Sequence, residues 1–252
     1  MRTFRKVILA LFRPARGVDG VADALKWLWI PLALLLVISV AAKSSVGTPL
    51  SMEAQQKAAQ EQMKEQFGEN YEEATGPEGA VESGPDGQPI EVVDAGSTIV
   101  STSAMVFAVL GAVFSVLYVA TFFFIAAKTW ANPVGYSVML SVASLCLVPI
   151  ALRNLVQAAY MSATGTWLAP AGLGAMVAPA KLTDPPGAVY AFLSQVDLWV
   201  IWSLAILFGA LMSQTVGIGR KRATSGLLAF VAITAVLRAV PTLIAGVFMG
   251  AM

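Results

Sequence analysis

The chain has 252 residues, 57% hydrophobic and 12% charged, with a formal net charge of +1 and no histidine. Soluble domains carry about 25% charged residues, so the composition excludes an ordinary soluble fold, and near-neutrality gives no electrostatic basis for a nucleic-acid partner. The lack of histidine removes imidazole acid–base catalysis and most zinc sites.

Mean hydropathy is +0.73, and apolar runs of 18 or more residues recur, each long enough to cross roughly 30 Å of hydrocarbon. The runs are continuous rather than alternating, which predicts helices and not a β-barrel. The expected fold is an all-α, polytopic membrane protein with five transmembrane helices and an N-terminal interfacial helix. The single cysteine, Cys146, lies inside an apolar run and reads as a small packed hydrophobe.

Residues 1–24 form a basic cytoplasmic segment. Phe4, Val7, Ile8 and Leu11 share one helical face, whereas Arg2, Arg5, Lys6 and Arg13 lie towards the other. This pattern predicts an amphipathic helix on an anionic lipid surface, ended by Pro14. The apolar core Val7–Phe12 is too short for a signal peptide. The first span, 25–42, is therefore expected to stay as an anchor, with Trp27 and Trp29 at its entry.

Residues 43–101 form a polar insert. Between 44 and 98 there are eleven acidic residues, Glu53 to Asp94, and two basic ones, Lys57 and Lys64. Residues 51–67 (SMEAQQKAAQEQMKEQF) are rich in helix formers. Ser51 reads as their N-cap and Gly68 as their stop. Met52, Ala59, Met63 and Phe67 give this helix a thin apolar stripe, which makes them candidate partner-binding residues. Residues 76–96 carry Pro77, Pro85, Pro89 and several glycines, and so predict extended chain.

A four-helix membrane portion, 102–252, follows, with spans at 102–127, 136–158, 190–213 and 225–248. The connection 161–187 carries four prolines and leaves room for a short re-entrant or interfacial segment around Trp167–Val177. With the N-terminus inside, the cytoplasmic segments hold ten Lys and Arg and the opposite side four. This bias predicts a cytoplasmic N-terminus, an acidic loop outside and an extracytoplasmic C-terminus.

Three charged residues fall inside the spans: Arg153, Asp197 and Arg238. Burying each costs about 2.5–3.5 kcal/mol on insertion scales, so each should face protein or water. Their depths place all three in the outer half of the bundle, where Asp197 is expected to pair with Arg153 or Arg238. Helix-to-helix pairing is one role for this cluster; a proton or cation site at Asp197 is the other. An aspartyl protease needs a second intramembrane acid, and no span interior offers a histidine or lysine base. No catalytic residue, cofactor or metal site is expected.

The segment Val196–Gly209 (VDLWVIWSLAILFG) combines an acidic residue, aromatics and a Trp followed by small residues. With the basic loop Gly219–Phe230 (GRKRATSGLLAF), and Lys26–Trp29 and Pro31 opening the first span, it resembles the Yip-domain family. Gly135, Tyr136 and Ser137 opening the third span, with Pro149 later, are similar too. The resemblance implies five spans. Eukaryotic members bind small GTPases, but the chain lacks their Asp-Leu-Tyr-Gly-Pro motif, so its likeness is to the prokaryotic branch. Some of those proteins resemble accessory subunits that act beside MacB-type ABC exporters and periplasmic adaptors. The implied function is a non-enzymatic scaffold or accessory subunit in a prokaryotic inner or plasma membrane. Its expected partners are membrane lipids, an ABC transporter permease or ATPase, and an adaptor. Two rivals remain: a small secondary transporter or channel using Arg153, Asp197 and Arg238, and a membrane-shaping or trafficking-type protein.

Overall fold

The computed structural model describes residues 8–20, 25–67, 95–130, 134–168, 172–177, 188–194 and 196–250. Among these residues the structure is all-helical, with no strand. A helical turn at 8–12 precedes α1 (Pro14–Gly20), α2 (Leu25–Phe67), α3 (Ala95–Trp130), α4 (Tyr136–Cys146) and α5 (Val148–Thr164). A 3-10 helix (Gly172–Val177), α6 (Ala188–Leu193), α7 (Leu198–Leu211) and α8 (Arg220–Gly250) complete the fold. Among the described residues three stretches are long and apolar enough to cross a membrane: Lys26–Ala58, Thr102–Trp130 and Tyr136–Thr164.

The largest departure from expectation is α2. Residues 43–50, expected as the start of the polar insert ahead of a separate helix capped by Ser51, continue the helix. Ser51 is not an N-cap; its hydroxyl turns back to the carbonyl of Thr48 at 2.8 Å, as serines inside helices do. Gly47, inside this helix, is a packing residue. A Cβ there would lie 3.2 Å from Met161 Cε on α5, so the glycine lets the two helices approach. Tertiary packing thus overrides weak local propensity. At 1.5 Å per residue, the 43 residues of α2 extend about 65 Å, twice the hydrocarbon thickness.

The third apolar run bends in the middle. Leu147 forms a turn between α4 and α5, and Pro149 occupies the first turn of α5. Proline lacks the N–H that would bond the carbonyl of residue 145, so the ladder breaks there. The α4 segment before this bend is tightly enclosed: Met139 and residues 141–146 are all buried. α5 ends at Gly165, whose φ of 63° and N–H to the Met161 carbonyl, 2.9 Å, form a left-handed cap.

The fourth run, expected as one span over 190–213, is broken into α6 and α7. The 3-10 helix, which falls within the expected short segment, docks against the break. Leu173 N–H donates to the Val196 carbonyl at 2.9 Å. Cβ atoms at Gly172 and Gly174 would each come within 2.8 Å of the backbone at Val196 and Ser194, so only glycines allow this approach.

α2 packs on α3, α4 and α5, while α7 packs on α4, α5 and α1. α3 shows the core face in its spacing: Ala112, Val116, Val119, Ala120, Phe123 and Ala127 are buried, whereas Phe107, Phe114 and Ile125 on its other side are exposed. A helix apolar all round suits a lipid environment. Tyr118, Phe122 and Phe123 meet Phe230 of α8, with ring centroids 5.3–5.5 Å apart.

Candidate functional site

The break before α7 creates the site. Asp197 is extended at φ −137°, ψ 172°, and caps α7: its Oδ1 accepts from Val200 N–H at 2.8 Å. An aspartate at this position satisfies an orphan donor and complements the helix dipole. Its other oxygen, Oδ2, accepts from Arg153 Nη1 of α5 and forms an ion pair. The side chains are only 23% and 16% exposed. Each charge therefore depends strongly on the other, because an unpaired charge in such a place is costly.

A second cation stands beside the pair. Lys43 of α2, which the sequence presents as an outer flank of the first span, lies within electrostatic reach of both Arg153 and Asp197. It arrives there because α2 remains helical past residue 42 and packs along α5. Arg153 Nε and Gln157 Oε1, one turn apart on α5, are both buried without a hydrogen-bond partner. Lys43 and Gln157 were not among the expected site residues. Gln157 was findable as the i+4 neighbour of Arg153; Lys43 required knowing that the helix does not stop.

Of the two partners expected for Asp197, Arg153 is the one the structure brings to it. Arg238 lies on α8, and its side chain falls outside the described residues. No group of three Cys, Asp or Glu able to hold a metal occurs among the described residues.

The basic N-terminal candidates divide. Arg2, Arg5 and Lys6 lie outside the described residues, whereas Arg13 is exposed at the bend between the first helical turn and α1. The first helical turn stops just before Pro14, as expected, and Pro14 then opens α1, the first position of a helix being where proline fits best. The 8–12 turn is docked on protein. Ala10 is fully buried, the Leu11 carbonyl accepts from Trp202 Nε1 at 3.1 Å, and Phe12 meets the Trp202 ring at 5.8 Å. α1 then ties to the turn after α7 through Asp19, which accepts from Gln214 and Thr215. On the same side, Arg222 Nη1 donates to the Trp130 carbonyl at 2.7 Å. The N-terminal segment, the end of α3 and the start of α8 thus gather at one end of the bundle.

The candidate partner-binding stripe lies on the distal part of α2. Met52 is half-buried; Ala59, Met63 and Phe67 are helical, and their side chains fall outside the described residues. Lys57 and Glu53, 2.7 Å apart, make an exposed i,i+4 pair, screened by solvent.

A family model described as the Yip1 domain matches residues 8–240. No curated protein and no solved structure matches the chain.

Proposed function

The chain belongs to the Yip1 domain family, and from that premise we propose that it is a non-enzymatic, multi-pass accessory subunit of a larger membrane complex, of the prokaryotic branch. In this proposal five spans cross the inner or plasma membrane. The N-terminus is cytoplasmic and the acidic insert is outside. The carrying observation is α2, a single helix of 43 residues, about 65 Å long, that leaves about 35 Å beyond the hydrocarbon. Such a rod, followed by a segment rich in Glu and Asp, suits a partner surface that is basic and stands off the membrane. A periplasmic adaptor of a MacB-type ABC exporter, with its permease and ATPase, is the complex proposed. Sidedness draws support from Lys128, Arg220, Lys221 and Arg222, which fall at the end of the bundle where the N-terminal segment docks.

Mild-detergent purification from the native membrane, followed by identification of co-purifying chains, tests this directly. An exporter permease and adaptor should be retained, and lost when residues 51–94 are deleted. Retention unchanged by that deletion would remove the rod from the complex.

The broken fourth span favours a second proposal. Discontinuous helices whose half-helix ends meet charged groups mark the substrate sites of secondary transporters, and Asp197 with Arg153 has that arrangement. Flux of a labelled ion in proteoliposomes, absent in Asp197→Asn, would support it. The lack of any repeat of fixed period in the sequence favours the accessory role.

A further inference from the structure

An open pocket of about 510 Å³ lies where the N-terminal segment meets α7. Arg13, Pro14, Ala15 and Arg16 line it from one side and Gly209 of α7 from the other. The lining holds two cations and no acid. Gly209 stands about 18 Å of rise along α7 from Asp197, so the pocket is separate from the Arg153–Asp197 pair.

The backbone that carries the two arginines is pinned. The Arg13 carbonyl accepts from Gly17 N–H at 2.9 Å, so Arg13 and Arg16 flank the first turn of α1. A Cβ on Gly17 would lie 2.2 Å from Ala10 Cα, so the 8–12 turn and α1 meet at a contact that needs the glycine. A Cβ on Gly209 would lie 2.2 Å from Pro14 Cγ, which seats the bend closely on α7. Asp19 fastens the end of α1 to Gln214 and Thr215. The two arginine backbones are therefore in place before a ligand arrives, which lowers the cost of binding.

Neither charge is spent inside the protein. Both arginines are exposed, and neither has an ion-pair partner among the described residues. Asp19, the acid of α1, does not line the pocket, and both its oxygens accept from the turn after α7. Exposed apolar side chains, Ile8, Leu9 and Phe12, stand in the turn just before Arg13. Apolar and cationic side chains on one short element suit the headgroup layer of a membrane. Guanidinium forks match phosphate oxygens, and the apolar neighbours favour a phosphate carried by a lipid over one free in water.

We infer that this pocket binds the headgroup of one anionic phospholipid, with the phosphate between Arg13 and Arg16 and acyl chains beside Ile8, Leu9 and Phe12. A choline headgroup would bring a third cation against the two guanidiniums, so the site discriminates against it. The inference needs neither an exporter partner nor a particular sidedness.

The test is native mass spectrometry of the full chain from detergent micelles, with phosphatidylglycerol or phosphatidylcholine of identical acyl chains added. One phosphatidylglycerol should bind several-fold more tightly than phosphatidylcholine, and an equal concentration of inorganic phosphate should not displace it. Arg13→Gln combined with Arg16→Gln should weaken phosphatidylglycerol binding about tenfold, the scale of one charge-assisted hydrogen bond, and bring the two lipids near parity. Arg220→Gln combined with Lys221→Gln removes two exposed charges outside the pocket and should leave the preference intact. Thermal unfolding in the same detergent confirms that the variants are folded. If the first pair is not, Arg16→Gln alone and the wild-type preference decide the matter. Equal binding of the two lipids by the wild type would overturn the inference, as would displacement by inorganic phosphate. Equal losses in the two double variants would also overturn it, because a diffuse basic surface would then account for the preference.

Discussion

Asp19 and Thr215 are joined twice through one oxygen: Thr215 N–H reaches Asp19 Oδ1 at 2.9 Å and Thr215 Oγ1 reaches it at 2.8 Å. The other oxygen accepts from Gln214 N–H at 3.2 Å. A short N-terminal helix is thereby fastened to the turn between α7 and α8, nearly two hundred residues away in sequence.

Hydrogen bonds to a charged acceptor are worth about 1.5–3 kcal/mol. Asp19→Ala removes all three and leaves two backbone donors to find water. We expect a loss of about 2 kcal/mol, read as a lower midpoint of thermal unfolding in detergent, with faster protease cleavage near residue 20. Asp19→Asn keeps one acceptor oxygen and should fall between the two. Equal stability of wild type and Asp19→Ala would mean that the clasp does not hold the N-terminal segment.

The same segment depends on a missing side chain. A Cβ on Gly209 of α7 would sit 2.2 Å from Pro14 Cγ, and a proline ring cannot rotate out of the way. Gly209→Ala should force α1 off α7 at about 1–3 kcal/mol, the usual range for overpacking. Gly111, inside α3 and with nothing within 4 Å of the built Cβ, supplies the control: Gly111→Ala should not lower the melting midpoint.

The ion pair can be isolated from the cap. Asn is as good an N-cap as Asp, so Asp197→Asn keeps the acceptor for Val200 N–H and removes only the charge facing Arg153. Breaking one partner of a buried pair costs about 3–5 kcal/mol, and the partial exposure of this pair places the loss at or below the lower bound. Asp197→Asn combined with Arg153→Gln should regain part of the loss. Combined with Arg238→Gln it should regain nothing. Recovery in the second double variant and not the first would transfer the partnership to Arg238.

Composition and run length made the helical, membrane-spanning class legible, and the high cost of intramembrane charge made a pairing of Asp197 with an arginine legible, though not the choice of Arg153 over Arg238. Both are one-dimensional signals with large energies behind them. The helix breaks were not legible, because an apolar run has the same hydropathy whether it is continuous or interrupted. Pro149 did hint at the bend before α5. At the other break the signal was Asp197 itself, read only as a buried charge when it is also an N-cap. At residues 43–50 the error ran in the opposite direction: the polar insert was read as starting there, whereas the chain stays helical through Gly47 and Pro49, both poor helix formers, with Gly47 close to Met161. Lys43 was lost to the site by that same error, and Trp202's grip on Leu11 depends on a contact across 191 residues that no local pattern encodes.

The continuity of α2 is the feature on which the accessory role rests, and it can be measured. Cys146 is the only cysteine and is buried, so Cys146→Ser gives a background for paired spin labels at Ser45→Cys and Lys64→Cys, two exposed positions. Nineteen helical residues separate them, which corresponds to about 28 Å of rise between the backbones. Pulsed electron paramagnetic resonance in nanodiscs should give one narrow distribution near that value. Pro49 removes one ladder bond, so Pro49→Ala should narrow it further without moving its centre. A broad or much shorter distribution would mean that residues 43–50 form a hinge. The distal helix would then no longer project from the first span as a rigid arm, and the proposed docking of a partner on Met52, Met63 and Phe67 would lose its physical basis.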